Sequence, residues 1–452
     1  MSRRLFGTDG IRGVANNYPL TPEMLTKIGR AIAHYFKEKN NKPRHKIVIG
    51  KDTRLSGYMV EYALTSAICS AGADVLLVGP MPTPAIAHLT KSLNCDAGIV
   101  LSASHNPSQD NGLKIFDENG FKLPDEVEEK IENYVFSEEI NHEHIKGELI
   151  GKAFRIDDAR GRYIEFAKSS IQSASLRGLK IVLDCANGAA YHIAPHILSE
   201  LGAEVVVLNN KPDGLNINKD CGATHPEVIQ QKVKEIGADA GIALDGDADR
   251  ALFCDENGEF IDGDKIMVMV TQHFMNKKKL NHNTLVVTDY SNLGVDRALR
   301  AVGGNVIRVK NGDRYVAEEM RNNNYTIGGE KSGHIIFGRY STTGDGVITA
   351  LQVLNLMKET GKKMSELASC MTEMPQVLIN VEVNEKKQFE EMPGFFAKLK
   401  EVNEKLNGRG RMLVRYSGTQ NMCRIMVEGE NQEEIESHAN ELAEELRREV
   451  GV

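Results

Sequence analysis

Three times along the chain a short apolar run leads through a polar turn into a stretch with helical spacing, then a glycine, then a second apolar run. The first unit is K-I-V-I-G from Lys46, the stretch Ser56–Ala71, Gly72 and D-V-L-L-V. The second is K-I-V-L-D from Lys180, a stretch near Ala189–Leu201, Gly202 and E-V-V-V-L. The third is T-L-V-V-T from Thr284, a stretch near Gly294–Val302, Gly303 and N-V-I-R-V. Val60, Leu64 and Ile68 stand four apart, so they stack on one helix face that a sheet can bury. Each glycine sits where a left-handed residue ends a helix without strain. Strands joined through helices favour parallel pairing with right-handed crossovers. The pattern predicts three similar α/β domains with mixed, mostly parallel sheets.

The last part of the chain reads differently. V-L-I-N-V-E-V from Val377, R-M-L-V-R-Y from Arg411 and C-R-I-M-V-E from Cys423 are strand candidates, and a charged helix over roughly Gln432–Glu449 follows them. Two strands meeting across a short turn predict an antiparallel C-terminal α+β domain. The expected domains are residues 1–152, 153–253, 254–370 and 371–452.

Inside the repeat one phrase recurs with two endings. D-A-G-I-V-L (Asp96–Leu101) runs into S-A-S-H-N-P, and D-A-G-I-A-L (Asp239–Leu244) runs into D-G-D-A-D-R. Ligands of open α/β sheets collect beyond the carboxyl ends of the strands, where these loops lie, and the third unit places Y-T-I-G-G-E-K-S-G-H (Tyr325–His334) there. Asp245, Asp247 and Asp249 alternate with Gly246 and Ala248, so an extended backbone would point three carboxylates the same way. Such a cluster repels itself unless a cation or protons intervene, and hard divalent cations take oxygen ligands. An EF-hand loop fits partly, with Glu256 at its twelfth position, but Arg250 occupies the sixth position, where the turn wants glycine. Mg²⁺ is the better match. Ser104 and Ser102 both qualify as nucleophile, and the repeat does not choose: Ser102 aligns with Asp245 and Ser104 with Asp247. His105, adjacent in sequence, is poorly placed as a base for Ser104. R-Y-S-G-T (Arg415–Thr419), with Arg424 beyond it, offers amides, hydroxyls and guanidinium groups to an anion. No Walker sequence is present, which argues against a P-loop kinase.

Composition narrows the class further. The 452 residues are too many for one core, and 26% charged with 41% hydrophobic residues is an ordinary soluble composition. A net charge of −8 without a basic patch argues against a nucleic-acid partner, and Lys277–Lys279 reads as a solvated loop. Seven cysteines without a C-x-x-C pair suit a reducing compartment. Nothing at the amino terminus reads as a signal peptide and no segment suits a bilayer, so the expectation is a cytoplasmic protein without a membrane partner.

Taken together these residues resemble the α-D-phosphohexomutase superfamily, and F-G-T-D-G-I-R-G (Phe6–Gly13) brings the chain near its amino-sugar branch. G-K-D-T-R-L-S-G (Gly50–Gly57), P-M-P-T-P-A (Pro80–Ala85), P-D-G-L-N-I-N with C-G-A-T-H-P-E (Pro212–Glu227), G-D-R-Y-V (Gly312–Val316) and T-T-G-D-G (Thr342–Gly346) support this in the family's order. The resemblance implies four domains around a central cleft and a phosphate carried on Ser104. It implies one Mg²⁺ held by Asp245, Asp247, Asp249 and a phosphoserine oxygen, with Arg250 beside it. It further implies substrate contacts at His105, Glu330, Ser332 and His334, a phosphate loop at Arg415, Ser417, Gly418, Thr419 and Arg424, and Lys114 with Arg12 as proton shuttle. A lysine serves as base only if burial or neighbouring positive charge lowers its pKa. The implied reaction interconverts glucosamine 6-phosphate and glucosamine 1-phosphate through glucosamine 1,6-bisphosphate, supplying amino-sugar nucleotide and cell-wall precursors, with mannose or glucose phosphates as the runner-up substrates. A non-catalytic sugar-phosphate binder would need a lost nucleophile or metal site, and both are present. Partners are small hexosamine phosphates, with a homodimer left open. The chain departs from the usual R-P-S-G-T-E-P wording at Tyr416, Gln420 and Asn421, which bears on the rigidity of the phosphate loop.

Overall fold

The computed structural model describes all residues except 1–3, 8, 41, 143, 418–420 and 452. The first sheet orders its strands Ile11–Val14, Asp110–Asp117, Ala97–Leu101, His45–Lys51, Ala73–Pro80 and Ala153–Arg155. The second orders Phe260–Ile261, Ala251–Cys254, Ala240–Leu244, Lys180–Asp184 and Glu204–Leu208. The third orders Asn305–Val309, Thr284–Thr288, Ile327–Gly329 and Ile335–Phe337. All three share one plan: three adjacent parallel strands, then an antiparallel neighbour beside the last of them in sequence. The loop that makes this reversal is residues 102–109 in the first sheet, 245–250 in the second and 330–334 in the third. The C-terminal sheet, Gln376–Glu382, Met422–Glu428 and Arg411–Tyr416, is wholly antiparallel.

The recurring phrase has a hydrogen-bonding meaning. Asp96 accepts the Lys46 N–H on Oδ2 at 2.9 Å and donates its own N–H to Lys46 O. Asp239 does the same with Lys180, at 2.7 Å. Each aspartate thus sets the register of its strand against the first strand of the unit. The glycines close the helices as expected: Gly72, Gly202 and Gly303 have φ of +91°, +92° and +78°. The helices themselves are shorter than the apolar pattern implied, running Ser56–Ser70, Ile193–Glu200 and Leu293–Arg300. Val60, Leu64 and Ile68 are fully buried.

Two expected boundaries cut off strands that the sheets retain. Ala153–Arg155 pairs with Ala73–Pro80, so the first sheet runs past residue 152, and Phe260–Ile261 pairs with Ala251–Cys254, so the second runs past residue 253. Both are two- or three-residue edge strands, too short to show alternation.

The apolar core is divided unevenly. One cluster runs from Val48 and Ile86 through Ile181 and Ile242 to Leu285, Leu351 and Met371, welding the second and third units to one face of the first sheet. The helix Gly346–Thr360, buried nearly all round, sits inside it. The C-terminal domain has its own core, Val381 to Val450. A segment without helix or strand, residues 371–375, joins the two bodies. Among the described residues no helix is long and apolar enough to cross a membrane, and all seven cysteines are free.

Candidate active site

Ser104 occupies the first reversal loop with φ +51°, the left-handed region that residues other than glycine seldom adopt. Its N–H donates to Ser102 Oγ at 2.9 Å, and its hydroxyl donates to Asp245 Oδ2 at 2.7 Å across the boundary between the first two domains. Ser102 instead donates its hydroxyl to buried Asp52 at 2.6 Å. Of the two candidate serines, Ser104 is the one in contact with the acidic cluster. His105 Nδ1 lies 3.3 Å from Ser104 Oγ. Burial, with the charges of Arg250 and Arg12, presses the His105 pKa down to about 4, so its ring is neutral at pH 7.

The acidic cluster forms, but not on an extended backbone. Residues 245–249 make a turn closed by Ala248 N–H to Asp245 O at 3.0 Å, with Ala248 at φ +55°. The turn still gathers one oxygen from each of Asp245, Asp247 and Asp249 within 4.8 Å of one another, all buried. Glu256 takes no part: it accepts from Ser365 Oγ and N–H at 2.5 and 3.2 Å, which removes the EF-hand reading. Asp247 Oδ1 and Asp249 Oδ1 are buried without a hydrogen-bond partner. Two orphaned carboxylate oxygens in an all-oxygen donor set fit a hard divalent cation.

Lys114 bridges the same carboxylates, its Nζ 2.8 Å from Asp247 Oδ2 and 3.1 Å from Asp249 Oδ2. Burial alone would lower its pKa, but the charges of Asp247, Asp249 and Asp9 carry it well above the ordinary lysine value. In this arrangement Lys114 is an ammonium that donates to both carboxylates. Burial would raise the Asp247 pKa, and the Lys114 pair with the Thr83 hydroxyl (2.6 Å) holds it below the usual range instead. Asp245 goes the other way, raised by burial and then by the charges of Asp249 and Asp247.

A second ring of charge surrounds this centre. Asp9 pairs with Arg12 and Lys122, and Lys122 also pairs with Asp313. His334 Nε2 accepts the Gly344 N–H at 3.2 Å and lies 3.4 Å from Asp313 Oδ2 and 4.0 Å from Asp249 Oδ2. Arg250 donates its N–H to Asp245 Oδ1 at 3.2 Å, and its Nε stands 3.8 Å from Asp249 Oδ1. A bridge between Arg250 and His334 stitches the second reversal loop to the third. In that third loop Ser332 Oγ donates to Glu330 Oε2 at 3.1 Å. The three loops thus converge, bringing Ser104, His105, Lys114, Arg12, the three aspartates, Arg250 and His334 into one network. Asp9, Lys122, Asp313, Thr83 and Asn218 belong to it too. Asp9, Thr83, Asn218 and Asp313 lie in motifs recognisable in the sequence, but nothing in the sequence pointed to their partners.

The C-terminal loop carries a different geometry. Arg415 and Arg424 face each other across the antiparallel pair, and the Arg415 guanidinium lies 4.8 Å from the Tyr290 ring centroid. Ser417 donates its N–H to Met422 O at 2.8 Å, and Lys386 Nζ donates to Ser417 O at 2.7 Å. Gly418 and Thr419 lie outside the described residues. The Nε atoms of both arginines are buried without a hydrogen-bond partner, as an anion site would leave them.

Comparison with known proteins places this arrangement. The phosphoglucomutase/phosphomannomutase family matches the chain over alpha/beta/alpha domain I at residues 3–142, domain II at 161–258, domain III at 262–374 and the C-terminal domain at 378–445. A phosphoglucosamine mutase of Syntrophotalea carbinolica is 56% identical over 453 residues, covering 100% of this chain and 99% of the relative. One of Citrifermentans bemidjiense is 54% identical, covering 99% of each. A phosphoglucomutase/phosphomannomutase family protein of Burkholderia thailandensis has the same fold, with a TM-score of 0.82 at 23% identity over 99% of both chains. So does Aspergillus fumigatus N-acetylphosphoglucosamine mutase, solved with GlcNAc-6P and magnesium, at a TM-score of 0.66 and 19% identity, covering 100% of this chain and 96% of that one.

Proposed function

The chain belongs to the phosphoglucomutase/phosphomannomutase family, and from that premise we propose that it interconverts glucosamine 6-phosphate and glucosamine 1-phosphate by way of a phosphorylated Ser104. The observation that carries this reading is the Ser104 hydroxyl held 2.7 Å from Asp245 inside a buried three-carboxylate nest. Full-length relatives 56% and 54% identical are phosphoglucosamine mutases, which favours the amino sugar over mannose or glucose phosphates.

In the forward direction the phosphoryl group leaves Ser104 Oγ for the free hydroxyl of glucosamine 6-phosphate. The P–Oγ bond breaks, the new O–P bond forms, and the proton given up by the sugar hydroxyl is balanced by the one that restores the Ser104 hydroxyl. Glucosamine 1,6-bisphosphate turns over within the cleft, its other phosphate returns to Ser104, and glucosamine 1-phosphate departs. Asp245, Asp247 and Asp249 would hold Mg²⁺, which supplies positive charge against the transferring group. Lys114, charged and bridging Asp247 and Asp249, adds to that field and can donate a hydrogen bond to a phosphoryl oxygen. Glu330 and Ser332 would take sugar hydroxyls, with His105 and His334 beside them. Arg415, Ser417 and Arg424 would hold the phosphate that is not reacting.

Water must be kept from the phosphoserine. The C-terminal domain, with a core of its own and a link at residues 371–375, is built to close over bound phosphate. Small-angle scattering with and without glucosamine 6-phosphate should show a more compact particle with ligand, and identical profiles refute closure. The decisive chemical test uses bisphosphate labelled with ³²P. Label should attach to the wild-type polypeptide and not to Ser104→Ala, whose turnover should vanish while its circular dichroism stays the same. A polypeptide that never takes label refutes the reading.

A further inference from the structure

The motif G-K-D-T-R-L-S-G follows the central strand of the first sheet, and its arginine makes an unusual set of contacts. Arg54 is fully buried and uses every N–H it owns. Nε donates to Asp52 Oδ2 at 2.7 Å. Nη2 donates to Ser104 O at 2.9 Å and to Asn106 O at 2.8 Å. Nη1 donates to Pro107 O and, at 2.9 Å, to Asp110 O. A guanidinium has five donors in a fixed fork, and here one holds a carboxylate, three hold carbonyls of the 102–109 loop and one holds the carbonyl of Asp110, where the next strand begins. Asp52 is the anchor: it also accepts the Arg54 N–H at 2.9 Å and the Ser102 hydroxyl at 2.6 Å. Ser102 in turn accepts the Ser104 N–H. From the second domain, Asn218 Nδ2 donates to Ser104 O at 2.9 Å and to Asn106 O at 3.1 Å.

Resting on the reading of Ser104 as the phosphorylated group, we propose that Arg54 is a positioning residue for phosphoryl transfer. A serine at φ +51° persists only where its surroundings over-determine it. Arg54 and Asn218 fix its carbonyl, Ser102 fixes its N–H, and the hydroxyl is left pointing at Asp245. Lysine cannot replace this arrangement, because three donors on a point charge do not match a planar array of five.

The clamp predicts a loss in the chemical step rather than in binding. Arg54→Lys in the full chain should lower kcat about 100-fold, as an ångström-scale misplacement does, and leave the glucosamine 6-phosphate KM within about threefold. Transfer of label from ³²P-phosphorylated enzyme to sugar in a single turnover should slow by the same factor. The folded, label-accepting fraction should match wild type. A kcat within about threefold of wild type, or a fall explained by lost folded fraction, overturns the proposal. Should Arg54→Lys not fold, Asn218→Ala decides alone: it removes the second donor from two of the same carbonyls and should lower kcat about tenfold at constant KM, and an unchanged kcat overturns the clamp. Labelled wild type with unaffected variants refutes this inference only; wild type that never takes label refutes the functional reading beneath it.

Discussion

Substitution of Gly246 by alanine tests how closely the two catalytic loops must meet. A Cβ on Gly246 would stand 2.6 Å from Ser104 O, 2.7 Å from Asn218 Nδ2 and 2.9 Å from Ile217 Cδ1. Ordinary contact begins at 3.4 Å, so the new methyl is about 0.8 Å too close to the Ser104 carbonyl. Its backbone φ lies outside the glycine-only region, so the penalty comes from crowding and not from conformation. The carbonyl cannot swing aside, because Arg54 and Asn218 both hold it. The loops must therefore part. An opening of about 0.8 Å stretches the 2.7 Å contact from Ser104 Oγ to Asp245 to roughly 3.5 Å, beyond a useful hydrogen bond. A shift of that size should cost about 100-fold in kcat, near 2.7 kcal/mol of barrier, while overpacking costs about 1–3 kcal/mol of stability. Steady-state turnover of glucosamine 6-phosphate with a coupled assay, beside thermal unfolding, measures both. Gly161→Ala is the control: nothing lies within 4 Å of that position, it sits in the helix Ala159–Ser169, and alanine there should stabilise by about 0.5–1 kcal/mol without touching kcat. If Gly246→Ala keeps kcat within about threefold of wild type, the contact between the loops does not govern transfer.

Asp247→Asn removes one anionic oxygen donor and should raise the Mg²⁺ concentration for half-maximal rate at least about tenfold; an unchanged metal titration removes Asp247 from the metal site. Asp264, buried at the start of helix Gly263–Asn276, has its carboxyl raised to about 7 by burial and by the charge of Asp262. The folded state thus keeps a proton that the unfolded chain gives up near 3.8, so this group's contribution to stability is lost as pH rises from about 4 to 7 and is constant above. Asp264→Asn cannot ionise, so its stability relative to wild type should climb over that window by up to about 4 kcal/mol, and urea unfolding at pH 5 and 8 giving the same difference would refute the assignment. Arg411 pairs at 2.6 Å with fully buried Glu428 and reaches the carbonyls of Asp289 and Ser291, joining the C-terminal domain to the third. Arg411→Leu strands that carboxylate at a cost of about 3–5 kcal/mol, and calorimetry should show the C-terminal domain melting early; a single unshifted transition would refute it.

How much of this was legible in the sequence differs from one feature to the next. The repeated units were readable because apolar runs, turn and stop glycine recur in the same order, and the glycines do adopt positive φ. The C-terminal strands were readable from their length, and Arg411–Tyr416 fell where the pattern put it. The edge strands Ala153–Arg155 and Phe260–Ile261 were not, since two or three residues carry no period. The turn through Asp245–Asp249 was misread as extended because alternating aspartates look like a strand, whereas Ala248 bends the chain back. The ring of Asp9, Lys122 and Asp313 was invisible for another reason: its partners lie 113 and 191 residues apart, and nothing local in a sequence specifies such a pairing. The charge on Lys114 was not legible either: Asp247, Asp249 and Asp9, which outweigh what burial does to its ammonium here, are remote from it in sequence.

The repeat also explains how one cleft comes to hold different chemistry on each wall. The three sheets share their core strand order, so the reversal loops 102–109, 245–250 and 330–334 are equivalent connections carrying a serine, a carboxylate nest and the polar pair Glu330 and Ser332. Were the first two copies to meet residue on equivalent residue, Ser104 would face Asp247. It faces Asp245, and Thr83 occupies Asp247 with a 2.6 Å hydrogen bond. The loops therefore meet two residues out of step. That offset engages Asp245 Oδ2 with the Ser104 hydroxyl and leaves Asp247 Oδ1 and Asp249 Oδ1 as the two oxygens of the nest without a hydrogen-bond partner.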